Sequence, residues 1–343
     1  MKRVIEIRET SSSVTRMIFV RTPFRLPLGG GSTDLPSYYR GYGGFIFGVA
    51  INLYFDTFLR KPRIDNNVRF QYSGHDEIVD LASKLPHDIG RAALQIANIG
   101  GGVHVTFQSD TPAGTGLGSS GSCAVGLLHA LFRLKGERPT RLELAERAFE
   151  VTQLLGWPDG KQDPYISALG GFVAFDIERT GKAIFHSTGG IAPETIERFL
   201  RRTLLFYTGI RRDSKPILDK QEEKRIIDLK HRTLAIGREI FGAFNNLDSD
   251  GMDYFGMLMD EHWRIKRGMS PEMSSSEFDE LYTCAKQNGA LGGKILGAGG
   301  GGYFMFCVKD GCQEKLKSIL TAKGLHHVPF KIDSFGTRVA FEE

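Results

Sequence analysis

The first hundred positions are built of short apolar blocks separated by glycine or polar breaks, a pattern of strands. Met17, Ile18, Phe19 and Val20 open one such block, which continues through Arg21 and Pro23 to Leu28 and ends at a glycine loop. Residues 44–58 are β-branched and aromatic enough for a second strand, and Val68–Tyr72 for a third. The period then changes. Ile89, Ala92, Ala93, Ile96 and Ala97 recur at helical spacing, Gly100, Gly101 and Gly102 provide the stop, and 103–107 alternates again as a strand. A glycine-rich stretch at 110–122 opens a helix of small and apolar residues that runs to 132. The next helix has both ends marked: Thr140 as N-cap, Glu143 three residues on to close a capping box, and Gly156 beyond its end.

Residues 170–187 read as a hairpin, and Gly189-Gly190 is the expected junction between an N-terminal half, 1–190, and a C-terminal half, 191–343. The second half has a strand at 203–207 and helical patterns through Ile265. Phe278, Leu281, Tyr282 and Ala285 then form a helical stripe at i, i+3, i+4 and i+7. The glycine cluster 297–302 enters a strand at 303–308, and a helix ending at Gly324 and two short strands finish the chain. Helices interspersed among strands in both halves predict an α+β fold of two domains, as does a length of 343 residues. Residues 1–16, polar and ending in three serines, read as an extension or an added edge strand.

With 41% apolar and 24% charged residues this is an ordinary folded chain, which excludes disordered and collagenous classes. A net charge of +4 without long basic runs argues against nucleic-acid or membrane partners and leaves small anions open. Residues 43–51 are the longest apolar stretch, too short to span a bilayer, and the charged residues following Met1 do not suit a signal peptide, so a cytoplasmic location is expected. Cys123, Cys284, Cys307 and Cys312 form no C-x-x-C pair and are expected to be reduced and mostly buried.

Glycine changes the picture: 42 of 343 residues, about 12% against roughly 7% in ordinary chains, and clustered. Backbone amides that approach a phosphate need glycine, and a helix beginning at that point adds a partial positive charge, so 114–122 is a candidate anion site. No glycine loop is followed by Lys and Ser/Thr, which excludes a P-loop ATPase. Gly116-x-Gly118-x-x-Gly121 and Gly297-x-Gly299-x-x-Gly302 match a dinucleotide fingerprint, but the first starts nine residues beyond its strand and the second leads into a strand. A dinucleotide-dependent oxidoreductase is therefore an alternative that this context disfavours.

The segment from Pro112 to Ser120 resembles the nucleotide loop of the GHMP kinases. Two further motifs stand in the family's order, Thr22 to Leu35 near the start and Lys294 to Gly302 near the end, so the resemblance covers residues 20–340. It implies a two-domain GHMP kinase fold, with an N-terminal domain like a ribosomal-protein domain and a ferredoxin-like C-terminal domain. Gly160 to Tyr165, Glu261 to Trp263 with Lys266 and Arg267, and Gly292 to Lys294 are most similar to the heptose 7-phosphate kinases of that family. The activity implied is ATP-dependent phosphorylation of the anomeric hydroxyl of D-glycero-D-manno-heptose 7-phosphate. Alternatives are a GHMP kinase for a free sugar such as fucose or galactose, and a non-catalytic sugar sensor.

By this resemblance Pro112, Gly114, Thr115, Gly116, Leu117, Gly118, Ser119 and Ser120 wrap ATP, and Ser120 and Glu150 hold Mg²⁺. Periodicity instead sets Glu150 on a polar helix side with Glu143, Glu146 and Gln153, as a solvated carboxylate. Asp163 is the implied base, and Lys161 to Pro164 also reads as a turn in which the residue before proline is extended. Arg25 is the implied cation beside the transferred phosphoryl group, and otherwise an edge-strand surface residue. The implied sugar contacts are Gly30, Gly31, Ser32, Thr33, Asp34, Tyr165, Gly299 and Gly300. A sugar phosphate needs a cationic clamp, for which Arg69, Arg211, Arg212, Lys215, Arg264, Lys266 and Arg267 qualify and Arg264, Lys266 and Arg267 are favoured. A second copy of the chain is a further expected partner, as a homodimer.

Overall fold

The computed structural model describes residues 17–210, 224–245 and 249–343. The predicted extension at 1–16 and the clamp candidates Arg211, Arg212 and Lys215 lie outside the described residues.

The strand pattern of the first half becomes one mixed sheet. Strands β1 (Met17–Gly29) and β2 (Gly44–Arg60) are its spine, joined through helix α1 (Pro36–Tyr42). Next come β3 (Val68–Tyr72), β4 (His75–Val79), helix α2 (Asp88–Ile96) and β5 (Val103–Ser109). Helices α3 (Ser119–Leu134), α4 (Arg141–Leu154) and α5 (Gln162–Leu169) follow, then the hairpin β6 (Phe172–Ile177) and β7 (Ala183–His186). The second half contributes α6 (Pro193–Arg202), β8 (Thr203–Tyr207), α7 (Lys224–Asn245), α8 (Ser249–Arg267), α9 (Ser276–Gln287), β9 (Ala290–Ile295), β10 (Tyr303–Val308), α10 (Gln313–Ala322), β11 (His326–His327) and β12 (Arg338–Glu342).

The sheet of the first half runs β12-β1-β2-β5-β3-β4, with β6 and β7 branching from β2, and only the β3–β5 pairing is parallel. Strand β2 is long enough to change partners: Gly44 to Val49 pair with β6, whereas Phe55 to Arg60 pair with β5. The register of β1 on β2 slips between Pro23 and Phe24, so a bulge bends the spine one residue before Arg25. The second sheet, β11-β8-β10-β9, is antiparallel. The expected capping box forms: Thr140 accepts the Glu143 N–H and the Glu143 carboxylate accepts the Thr140 N–H.

One core lies between the first sheet and α2–α5, and another between the second sheet and α9–α10. A third joins the halves, with Phe24, Leu26 and Phe47 of the spine against Ile240 and Phe244 of α7, Phe255 and Met259 of α8, and Met305 of β10. The division at 190 is also crossed at the end of the chain. Ile332 bridges to Ile51 and β12 adds to β1, so the last residues complete the first sheet. Strand β12 covers β1 only from Ile18 to Arg21; beyond it the Arg25 N–H donates to Leu117 O of the glycine loop at 3.1 Å, so Arg25 is not the surface residue expected of an edge strand and is 3% exposed.

All four cysteines are free, and burial pushes the Cys307 thiol up to about 12. Among the described residues no helix is long and apolar enough to cross a membrane.

Candidate active site

A cavity of about 960 Å³ lies between the halves, within the size range of small-molecule sites. Its floor is the start of α3. Gly114, Gly116 and Gly118 have φ of 76°, 85° and 82°, and Gly118 is the N-cap residue of α3. Pro112, Gly114, Gly116, Gly118, Ser119 and Ser120 line the cavity, and the helix terminus favours an anion there. Thr115 and Leu117, expected in the same loop, turn inward. Thr115 donates its hydroxyl to Pro112 O at 2.9 Å, and Leu117 is fully buried in the core between the halves.

Arg25 and Asp163 meet above this floor. The Arg25 Nε donates to Asp163 Oδ1 at 2.8 Å, Nη2 lies 2.6 Å from the same oxygen, and Nη1 donates to Gly116 O at 2.6 Å. The guanidinium thus ties the glycine loop before α3 to the carboxylate. Asp163 is not in the extended turn expected from its proline. It lies in the first turn of α5, with Pro164 next to it, where a missing N–H is harmless because first-turn amides have no partner within the helix. The α5 N-terminus favours the Asp163 carboxylate. A Cβ on Gly121 would lie 2.6 Å from Asp163 Cβ, so glycine at this position lets α3 and α5 touch.

Asp34 closes the next wall. It is 4% exposed and accepts the Gln162 N–H at 2.9 Å; burial, reinforced by Asp163, pushes its carboxyl up to about 6. Gly31 and Ser32 line the cavity beside it, Ser32 at a left-handed φ of 72°. Gly30 and Thr33 face away, with the Thr33 hydroxyl buried against Gly30 O and accepting the Phe45 N–H at 3.1 Å. Gln162, given no role from the sequence, lines the cavity next to Asp34. Its Nε2 donates to Asp163 Oδ1 at 3.2 Å, and its buried Oε1 has no hydrogen-bond partner.

Other expected residues lie elsewhere. Tyr165 is fully buried; it stacks on Phe175 and bonds Glu146 and Lys161, which fastens α5 to α4. Gly299 and Gly300 do not line the cavity, because they lie against Met273, whose carbonyl accepts the Gly300 N–H at 2.9 Å. Arg264 is spent on Asp260 and Arg267 on Asp279, both away from the cavity, and exposed Arg69 pairs with Asp76. Lys266 alone of the favoured clamp reaches the cavity.

Glu150 is a correction of the metal reading. It is half exposed, pairs with Arg147 at 2.9 Å and does not line the cavity. Two residues on a helix are about 200° apart, so Thr152, not Glu150, faces the cavity from α4. The carboxylate hydrogen-bonded to Ser120 is Asp159, from the loop after α4; burial, then Asp163 and Asp34, push it up to about 7. A cation beside Asp159 would relieve that repulsion, so Ser120 and Asp159 suit Mg²⁺, which takes one or two protein oxygens and leaves the rest to phosphate and water. Among the described residues no group of three or more His, Cys, Asp or Glu forms a metal cage.

Besides the glycine loop the cavity has an apolar and aromatic lining, with Phe55, Tyr72, His87, Ile89, Phe107 and Trp157. Burial lowers the His87 pKa, and its Nδ1 accepts the Gly90 N–H at 2.9 Å as the cap of α2. This wall suits a flat heteroaromatic ring. No local signal could have revealed it, since its residues come from five separate segments.

A glycine-rich helix start, an arginine–aspartate pair beside it and an aromatic slot suit a phosphotransferase acting on a hydroxyl. The chain belongs to the GHMP kinase family: residues 78–171 match the GHMP kinases N terminal domain and residues 243–324 the GHMP kinases C terminal. It is 27% identical over 321 residues to the D-glycero-alpha-D-manno-heptose 7-phosphate kinase of Campylobacter jejuni, spanning 85% of this chain and 90% of that protein. It is also 27% identical to the L-fucokinase/L-fucose-1-P guanylyltransferase of Bacteroides fragilis, over 89% of this chain but 36% of that protein. In fold it is similar to a D-glycero-D-manno-heptose 1-phosphate kinase from Bacteroides thetaiotaomicron, with a TM-score of 0.77 at 21% identity, covering 94% and 98% of the two chains. The two-domain fold expected from the resemblance is the one observed.

Proposed function

We propose that this protein is a cytoplasmic, Mg-ATP-dependent sugar 1-kinase that phosphorylates the anomeric hydroxyl of D-glycero-D-manno-heptose 7-phosphate, a step toward nucleotide-activated heptose. The observation that carries the reading is the Arg25–Asp163 pair, held between the phosphate loop and the Asp34 wall. The relative in Campylobacter jejuni supports the choice of substrate.

In this reading Asp163 receives or orients the proton of the attacking hydroxyl, and Arg25 stabilises negative charge that develops on the transferred group. The amides of 114–120 and the α3 terminus cradle the donor phosphates. The aromatic slot takes the nucleobase, while Asp34 and the unpartnered Gln162 Oε1 accept sugar hydroxyls. Ser120 and Asp159 would hold Mg²⁺, which would supply neutralisation of phosphate charge.

ADP release from a panel of free sugars and sugar phosphates, with phosphorus NMR of the product, tests this. Turnover confined to the heptose 7-phosphate, giving an anomeric phosphate, is the expected result. Turnover of fucose or another free sugar instead would keep the kinase and reject the substrate, an outcome for which the Bacteroides fragilis relative gives a reason. No turnover at all would favour the sensor. For the metal, Asp159→Asn should raise the Mg²⁺ concentration for half-maximal rate about tenfold or more, whereas Glu150→Gln should leave it unmoved. Equal responses of the two variants would reject the Asp159 assignment.

A further inference from the structure

The cavity is also lined by cations from the second half. Lys294 projects from β9, and His262 and Lys266, four residues apart on one face of α8, come beside it. The approach is set by backbone contact: a Cβ on Gly292 would lie 2.0 Å from Gly256 O, so β9 and α8 lie as close as their main chains allow. Lys294 is 2% exposed and donates to Leu28 O at 3.0 Å, three residues before the Gly31 wall, and to His262 Nδ1 at 3.2 Å. Lys266 donates to Ile295 O at 3.1 Å and also to Gly297 O. Among the described residues no carboxylate pairs with Lys294.

We infer that Lys294 and Lys266, steadied by His262, form a second anion subsite that receives the phosphate the acceptor already carries, which makes this a kinase for phosphorylated rather than free sugars. The inference rests on the proposed function and deepens it. A buried ammonium whose partners are carbonyls and a neutral imidazole is costly unless an anion arrives. Burial, then Lys266 and Arg25, hold Lys294 well below its ordinary pKa, and burial with the two lysines does the same for His262. A dianionic phosphate in the cavity would reverse this, because each ammonium would gain a charge-assisted hydrogen bond. The donor phosphates have their own cradle on the floor, at the α3 terminus. Lys294 is tied instead to Leu28 O, next to Pro27 and three residues before Gly31, and Lys266 stands between it and the second glycine cluster, bonded to Ile295 O and Gly297 O. An acceptor whose hydroxyl meets Asp163 therefore extends its far end toward them.

Calorimetric titration of D-glycero-D-manno-heptose 7-phosphate and of the unphosphorylated heptose, into wild type and into Lys294→Met and Lys266→Met, tests the assignment. Wild type should prefer the phosphorylated sugar by about 100-fold or more, and each variant should reduce that preference by about tenfold or more, the scale of one lost charge-assisted hydrogen bond. Orthophosphate titrated with wild type gives the same information should a variant fail to fold. It should compete with the heptose 7-phosphate and not with the free heptose. Binding of both sugars with equal affinity, or a preference that survives in both variants, would reject the lysine subsite while leaving the kinase intact. Binding of neither sugar would reject the proposed substrate and the subsite together.

Discussion

Asp163→Asn should lower kcat by about 10³-fold, within the range that a positioned acid–base group contributes. The amide keeps the size of the side chain but cannot take a proton, and its nitrogen would face the Arg25 fork that now holds Oδ1 from Nε and Nη2. Arg25 is almost fully buried, so it cannot turn to water to replace the lost partner. It retains Gly116 O as an acceptor, which keeps the phosphate loop attached. The loss should therefore fall on kcat more than on the KM for ATP. Steady-state kinetics and thermal unfolding of the same preparation separate a chemical from a structural effect. A variant that folds normally and loses less than about tenfold in kcat would remove Asp163 from the proton-handling role.

Gly116→Ala should both destabilise the protein by about 2–5 kcal/mol and abolish tight ATP binding. Gly116 has φ +85°, which costs an L-residue about 1–2 kcal/mol. Its added Cβ would also lie 2.5 Å from Leu296 O, at the entry to the glycine cluster of the second half. The contact is reciprocal. A Cβ on Gly302 would lie 2.0 Å from Thr115 O, and the Tyr303 N–H donates to that carbonyl at 3.1 Å. The two clusters are thus pressed back to back, and moving one shifts the amides that would face phosphate. Gly136→Ala is the control, since Gly136 has φ +79° with open space around it and should show the backbone cost alone. Equal denaturant midpoints for the two variants would mean that the contact between the loops contributes nothing.

The elements with signals contained in neighbouring residues are legible in the sequence. The Thr140–Glu143 capping box, the Phe278 to Ala285 stripe, the hairpin of 170–187 and the glycine start of α3 are each set by residues within one or two turns of one another. The same local logic misread Asp163. Its proline predicts extended backbone, and it was the packing of α5 on α3 and β1 that settled a helix beginning one residue earlier. Periodicity set Glu150 on a polar helix side, and that is where it lies.

What the chain order alone conveyed about this protein was its element types, its two-part α+β build and, through the glycine motif and its resemblance, a family of phosphate-handling proteins. It did not convey which carboxylate would face Ser120, which aromatics would form the slot, or which of many cations would turn inward. Asp159 meets Asp34 and Asp163 across more than a hundred residues in one case, and Lys294 reaches Leu28 across 266. Such contacts depend on how helices and sheets dock. Local preferences amount to about a kcal/mol or less per residue and act over a turn, whereas the site is assembled by burial of the core shared between the halves. That core, with the one beneath the first sheet that holds α5, brings β1, α5, α8 and β9 to one cavity, and side-chain chemistry follows from where they are set down.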